Sequence, residues 1–241
     1  MGDRTRSFLK VQDGCDYKCS YCTIPMARGT SRNQDVRSII EEAEKIARKG
    51  IKAIVITGVN IGDFGKSTGD NFESLLRELI KVEGIERFRI SSIEPNLLTD
   101  EIINLTAESK KILPHFHSPL QSGSDKILGL MRRRYRRDKF EERVRAIRKI
   151  IPMAGIGADV ITGFTGESEN DFEDTFCFLN EMPISYLHVF NFSERPGTPA
   201  EIMPGKVPFS TREKRSRRLI NLSEKKHIEF CMRNEGHTTE I

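Results

Sequence analysis

The sequence predicts an α/β fold: an open partial barrel of six strand–helix units, (β/α)6, with a parallel sheet inside and helices outside. Three observations predict it. Short apolar runs alternate with amphipathic ones along the whole chain, the pattern of strands joined by right-handed helical crossovers. The run Ala53–Thr57 (Ala-Ile-Val-Ile-Thr) carries no polar alternation, which suits a sheet covered on both faces. Six units are too few to close an eight-unit barrel, and a curved open sheet is preferred to a flat doubly wound one.

The elements follow in order. Ser7–Val11 is a short apolar strand. Val36–Lys49 is a helix, with Val36, Ile39, Ile40, Ala43, Ile46 and Ala47 at helical spacing and Gly50 as a stop. Ala53–Thr57 is the second strand and Phe72–Val82 a helix with Leu75, Leu76, Leu79 and Ile80 on one stripe. Arg87–Ser91 is a strand, and Thr99 caps a helix through Ala107. Phe116–Leu120 is the fourth strand. Ser124 then opens a helix carrying Ile127, Leu128 and Met131, and Asp138–Ile151 is the next. Ile156–Thr162 is a strand, Glu169–Leu179 a helix and Tyr186–Phe192 the last strand. After the Pro- and Gly-rich loop 193–208, Thr211–Met232 is a long basic helix.

The 241 residues suffice for one large α/β domain or two small ones. Apolar residues make up 37%, enough for a core, and no run approaches the length of a membrane span. The start Met1-Gly2-Asp3-Arg4-Thr5-Arg6 has no apolar segment behind it and lacks the Ser or Thr of a myristoylation signal. A reducing cytoplasm is the expected location, with no membrane partner. Net charge is only +4, but basic residues cluster: Arg132, Arg133, Arg134, Arg136 and Arg137 surround Tyr135, and a second series runs from Arg212 to Lys226. Such clusters suit phosphate contact or a solvated helix face.

Three of the five cysteines, Cys15, Cys19 and Cys22, form C-x-x-x-C-x-x-C in a loop after the first strand. That is the ligand-binding end of a parallel α/β sheet. Three thiolates can hold three irons of a [4Fe–4S] cluster, which protein alone normally holds with four. The remaining iron is then open to the amine and carboxylate of S-adenosylmethionine (SAM). Other readings compete. A structural zinc site wants four ligands, and Cys177 and Cys231 lie far along the chain on helical runs. An odd cysteine count without a secretory signal speaks against disulfides. Cys177 and Cys231 are read as small buried apolar residues.

The cysteine loop with Tyr21 before the third cysteine resembles the radical SAM superfamily. Longer runs narrow the resemblance: Asp13-Gly14-Cys15, Cys22-Thr23-Ile24-Pro25, Ser91-Ser92-Ile93-Glu94-Pro95, Pro119-Leu120-Gln121-Ser122-Gly123-Ser124-Asp125, Gly157–Phe164 and Phe192–Thr198 are similar to the methylthiotransferases. Those enzymes act on tRNA bases or a ribosomal protein. The segment Thr57–Gly65 looks most like the branch acting on N6-threonylcarbamoyladenosine 37 of tRNA, ahead of the isopentenyladenosine and ribosomal-protein branches. Thr165 stands where the family usually has proline. The resemblance implies a radical SAM core over 1–205 and a basic helix over 206–241 leading to an RNA-binding module. It also implies an N-terminal domain holding a second [4Fe–4S] cluster, so that this chain alone cleaves SAM only. A tRNA anticodon loop and an electron donor such as flavodoxin or ferredoxin are the implied partners.

The resemblance also assigns roles. Cys15, Cys19 and Cys22 hold the cluster. Tyr21 would lie near the adenine of SAM, with plain packing as the alternative, Gly58 and Val59 would approach its methionine end, and Ser92 and Glu94 could reach its amino group or ribose. Gln121, Ser122 and Ser124 are further polar candidates, with a turn and helix cap as the plain alternative. Asp159, Val160 and Ile161 meet adenine through backbone groups. From guanidinium chemistry, Arg134 and Arg195 could hold a carboxylate or phosphate of the substrate bidentately, with a plain surface arginine as the alternative. His115 and His117 alternate on one strand; two histidines at i, i+2 could bind a metal, but without a nearby carboxylate motif they are read as structural. Against the enzyme reading stand an inactive RNA-binding remnant and an ordinary zinc or four-ligand cluster protein.

Overall fold

The computed structural model describes residues 5–236. Met1–Arg4 and the residues up to Ile241, on which the expectations about a leader, myristoylation and the chain's end partly rest, lie outside them. The chain packs as two compact units. The first holds the N-terminal residues through Lys18 together with Cys22–His117. The second holds Cys19–Tyr21 and everything from Ser118 on.

The first unit contains β1 (Arg6–Lys10), β2 (Gln12–Asp13), α1 (Ile24–Arg28), β3 (Arg32–Asn33), α2 (Val36–Arg48), β4 (Ala53–Thr57), α3 (Phe72–Leu79), β5 (Arg87–Ile90), α4 (Asp100–Glu108) and the start of β6 (His115–Gln121). Its sheet has the order β1-β4-β5, all parallel, with Phe8 opposite Val55 and Val55 opposite Arg89. Ile54, Val55 and Ile56 are buried, as their unbroken apolar run requires. The helices start where their caps dictate. The Asp35 carboxylate accepts from the Ser38 N–H at 2.9 Å, and Asn71 and Ser74 close a reciprocal capping box. The helix expected to reach Val82 stops at Leu79. The Lys81 and Val82 N–H groups donate to Glu78 and Leu79 at 3.1 and 3.0 Å, so the last turn tightens to i→i+3 bonds. His115 sits 3.3 Å from the Arg89 guanidinium, and the His117 carbonyl accepts from the Ile93 N–H.

The second unit continues β6 and adds α5 (Asp125–Leu130), α6 (Arg137–Ile150), β7 (Gly155–Thr162), α7 (Glu169–Glu181), β8 (Tyr186–Asn191) and α8 (Phe209–Asn234). Its sheet has the order β6-β7-β8. β7 and β8 run parallel, with Asp159 opposite His188 and Ile161 opposite Phe190. Gly157 lets the Tyr186 ring lie across β7: a Cβ there would fall 2.3 Å from the ring. Phe140, Phe164, Phe172 and Leu219 fill the core.

Two expectations need correction. Cys177 and Cys231 are exposed rather than buried, because both fall off the buried stripes of α7 and α8. The basic face of α8 is neither wholly solvated nor wholly open to phosphates. Arg212, Arg215 and Lys226 are buried. Arg212 pairs with Glu194 at 2.6 Å, and Arg215 with Glu167 at 2.6 Å and Glu169 at 2.8 Å. The Lys226 ammonium donates to the carbonyls of Asn180 and Met182. These cations dock α8 onto α7 and the loop after β8, while Lys214, Arg217 and Lys225 stay exposed.

The Arg215–Glu167 pair carries a prediction. Burial pushes the Glu167 carboxyl up, opposed by the Gly163 N–H and the Arg215 guanidinium. Arg215→Ala strands that carboxylate, and the expected cost is about 3–5 kcal/mol, read as a lower midpoint in urea unfolding. A midpoint equal to wild type would show the pair to be idle.

Candidate active site

The loop carrying the cysteines is held by backbone geometry and one buried side chain. Gly14 has φ +70°, and a Cβ there would sit 2.0 Å from the Thr30 carbonyl oxygen, so only glycine fits. The following Cys15 N–H donates to the Gly29 carbonyl at 3.1 Å. Gln12, 1% exposed, ties this loop to the end of β4. Its amide nitrogen donates to the Gly14 carbonyl at 2.7 Å, and its amide oxygen accepts from the Val59 and Asn60 N–H groups at 3.0 and 2.8 Å. Nothing in the sequence singled out Gln12; a glutamine between Val11 and Asp13 reads as an ordinary strand end. Gly58 belongs to the same corner, where a Cβ would meet Ile61 at 2.8 Å and the Gln12 carbonyl at 3.0 Å. Ser92 and Glu94 follow β5, half-buried, and the Glu94 carbonyl closes a turn by accepting from Leu97 and Leu98. Tyr17 lies buried in this unit, with its hydroxyl accepting from the Asn96 amide at 3.0 Å; burial raises its phenol pKa, against the opposing Asn96 hydrogen bond.

The three sulfurs are free thiols, and each accepts a hydrogen bond. Cys15 accepts from the Tyr17 N–H at 3.4 Å and Cys22 from the Ile24 N–H at 3.5 Å. Cys19 accepts from the Arg133 guanidinium at 3.2 Å. N–H donors aimed at cysteine sulfur are the surroundings that iron–sulfur thiolates use to spread their charge. Each sulfur, within its own unit, has surroundings that suit a cluster thiolate.

Four of the proposed site residues in the second unit share one cleft of about 310 Å³: Tyr21, Gln121, Asp159 and Arg195. Ile161, Phe190 and Phe192 supply its apolar walls. Tyr21 is fixed edge-on against Phe164, ring centres 6.1 Å apart. Gln121 ends β6 at φ +69°, a left-handed conformation unusual outside glycine. Asp159 lies 3.3 Å from the His188 ring nitrogen. Val160 is buried, so only its backbone is offered to a ligand.

The structure does not bring Ser122, Ser124 or Arg134 to that cleft. The Ser122 hydroxyl meets the Thr175 hydroxyl at 3.1 Å, and Ser124 donates to Asp171 at 3.0 Å. Both serines are spent on α7. Burial alone would raise the Asp171 carboxyl, but hydrogen bonds from Lys126, Ser168 and Ser124 prevail and hold it at about 2. Arg134 is exposed and is not among the cleft-lining residues. A larger groove of about 600 Å³ lies between α2 and α3, lined by mixed charges with no convergent chemistry.

The family described as the radical SAM superfamily matches residues 9–179. The chain belongs to the radical SAM superfamily. Membership implies a [4Fe–4S] cluster and SAM as cofactors, and the sulfur environment above is compatible with the cluster. Among its relatives, this radical SAM chain is 45% identical to threonylcarbamoyladenosine tRNA methylthiotransferase MtaB of Aquifex aeolicus, over 96% of this chain and 56% of that protein. It is 43% identical to MtaB of Bacillus subtilis, over 99% of this chain and 53% of that protein. It is 34% identical to tRNA-2-methylthio-N(6)-dimethylallyladenosine synthase of Pelotomaculum thermopropionicum, over 98% and 53%. The chain thus spans about half the length of these relatives. Among solved structures, the radical SAM methyltransferase TsrM of Kitasatospora setae superposes with a TM-score of 0.69 at 18% identity, over 81% of this chain and 36% of that one. Coproporphyrinogen III oxidase HemN of Escherichia coli gives 0.67 at 15%, over 92% and 52%. These likenesses establish the α/β radical SAM fold expected from the sequence, and the described residues form no closed barrel.

Proposed function

We propose that this chain is the radical SAM core of a tRNA methylthiotransferase acting on C2 of N6-threonylcarbamoyladenosine 37. The identity to MtaB relatives, 45% and 43% against 34% for the dimethylallyladenosine synthase above, carries the reading. Cys15, Cys19 and Cys22 hold the cluster. When bound, cluster and SAM supply reductive carbon–sulfur cleavage and hydrogen abstraction. Gln12 keeps the cysteine loop and the Gly58–Val59 corner in fixed register. Ser92 and Glu94 bind the polar end of SAM, and Tyr21 and the Asp159–Ile161 backbone flank its adenine. Arg195 at the mouth of the cleft pairs with the threonyl carboxylate, a planar acceptor suited to a guanidinium.

The core covers 1–205, and 206–241 leads to the RNA-binding part of the whole protein. Sulfur insertion draws on a second cluster in a further domain, and a flavodoxin- or ferredoxin-like donor supplies electrons. No helix among the described residues is long and apolar enough to cross a membrane, and the cytoplasm is the proposed location. A remnant that only binds RNA fits less well, since Arg212 and Arg215 are consumed by Glu194, Glu167 and Glu169.

Two measurements test the reading. The anaerobically reconstituted chain is expected to release 5′-deoxyadenosine from SAM without methylthiolating tRNA. Nucleoside mass spectrometry of tRNA from cells lacking the full-length gene is expected to lose 2-methylthio-N6-threonylcarbamoyladenosine. Retention of that nucleoside with loss of the isopentenyl counterpart would move the protein to the other tRNA branch.

A further inference from the structure

We propose that Arg133 is a positioning residue that holds the Cys19 thiolate and raises the reduction potential of the bound cluster. This rests on reading Cys15, Cys19 and Cys22 as cluster ligands.

The argument begins with the end of α5. Arg132 adopts φ +56°, one of two described non-glycine residues in the left-handed region. The Arg132 N–H donates to the Gly129 carbonyl at 3.0 Å, and the Arg133 N–H reaches back to the Leu128 carbonyl at 3.0 Å. This is a helix-terminating reversal that usually employs glycine. An arginine there carries backbone strain that glycine would avoid. The reversal delivers the Arg133 side chain to the segment 19–21. One guanidinium nitrogen donates to Cys19 Sγ at 3.2 Å and to the Tyr21 hydroxyl at 3.3 Å.

Both ends of that contact are fixed. The Arg133 Nε donates to the Tyr135 hydroxyl at 3.1 Å. Tyr135 is buried, and its hydroxyl donates to the carbonyls of Pro119 and Leu120. On the other side, the Ser20 N–H and hydroxyl donate to the Met131 and Leu130 carbonyls at 3.1 and 2.7 Å, and the Ser20 carbonyl accepts from the Ala200 N–H at 2.8 Å. A cation is thus held against one particular sulfur by groups that themselves cannot drift.

Cys15 and Cys22 accept from neutral backbone N–H groups at 3.4 and 3.5 Å. The Cys19 bond comes from a cation and, at 3.2 Å, is the shortest of these three. Reducing the cluster by one electron adds negative charge that the sulfurs share. A cationic donor to sulfur stabilises the reduced form more than the oxidised one, so it raises the potential. It also eases the electron's arrival from a biological donor. The same nitrogen fixes the Tyr21 hydroxyl, so the cluster ligand and the cleft wall move together.

The test is an anaerobic redox titration of the reconstituted chain followed by EPR, with iron and sulfide counted on each sample. Arg133→Gln is expected to keep a full cluster while its reduction equilibrium shifts at least tenfold towards the oxidised form, a potential lower by about 59 mV for a one-electron couple. Arg133→Lys, which keeps the charge, is expected to recover most of that shift. A fully loaded Arg133→Gln protein with the wild-type potential overturns the assignment. If Arg133→Gln loads no cluster, Tyr135→Phe decides: it keeps the arginine but removes its anchor, and is expected to lower the potential by a smaller amount. An unchanged potential in a fully loaded Tyr135→Phe protein then overturns it too. A wild-type chain that loads no cluster sinks the ligand reading instead and takes this assignment with it. A loaded wild type with an indifferent Arg133 leaves the ligand reading standing.

Discussion

Cys19→Ala is expected to lose the cluster and all 5′-deoxyadenosine formation while remaining folded. Two thiolates cannot retain a cube that protein normally holds with four. The remaining cysteines, Cys177 and Cys231, lie on α7 and α8, outside the cysteine loop. The side chain itself contributes little to the fold: trimming a small buried thiol costs on the order of 1 kcal/mol. Iron and sulfide should fall to background, visible absorption should vanish and the far-ultraviolet circular dichroism should match wild type. Cys177→Ala and Cys231→Ala serve as controls and should keep iron, sulfide and turnover unchanged. A Cys19→Ala protein that keeps its iron would mean that another side chain completes the site.

Gly14→Ala should be among the most damaging single-methyl additions at the described glycines. Alanine at φ +70° carries a backbone cost of about 1–2 kcal/mol. The added carbon would also lie 2.0 Å from the Thr30 carbonyl oxygen and 2.8 Å from that of Gly29. Both are main-chain atoms, so relief requires the loop and the Gly29–Thr30 segment to part. A total above about 3 kcal/mol follows, and with it a drop in melting temperature of roughly 6–12 °C for a chain of this size. Parting those strands also breaks the Cys15 N–H bond to the Gly29 carbonyl, so cluster retention should fall by more than half. A melting temperature within about 2 °C of wild type, with full iron, would contradict the loop geometry.

Much of the scaffold was legible because its signals are periodic. Ala53–Thr57 and Val36–Arg48 appear where their apolar patterns put them. The β2–β3 pair was not legible, since two-residue strands carry no period, nor was the five-residue α1 with Pro25 in its first turn. At the site, Tyr21, Gln121, Asp159 and Arg195 converge on one cleft, as strand-end positions of a parallel sheet should. Ser122 and Ser124 sit at the same strand end and yet turn away. Gly123 packs so closely on α7 that a Cβ would come within 2.7 Å of Thr175 Cα, which drags both hydroxyls into Thr175 and Asp171. Arg133 was hidden in a run of arginines that charge alone cannot rank. Only the left-handed Arg132 separates it from its neighbours, and backbone dihedrals are not written in composition.

The most direct measurement is EPR of the reduced, reconstituted chain before and after SAM is added, with the amine and carboxylate of SAM isotopically labelled. The account predicts that SAM changes the cluster signal and that the label couples magnetically to it, because one iron is held by no cysteine. A spectrum indifferent to SAM, with a side chain of this chain on every iron, would contradict it.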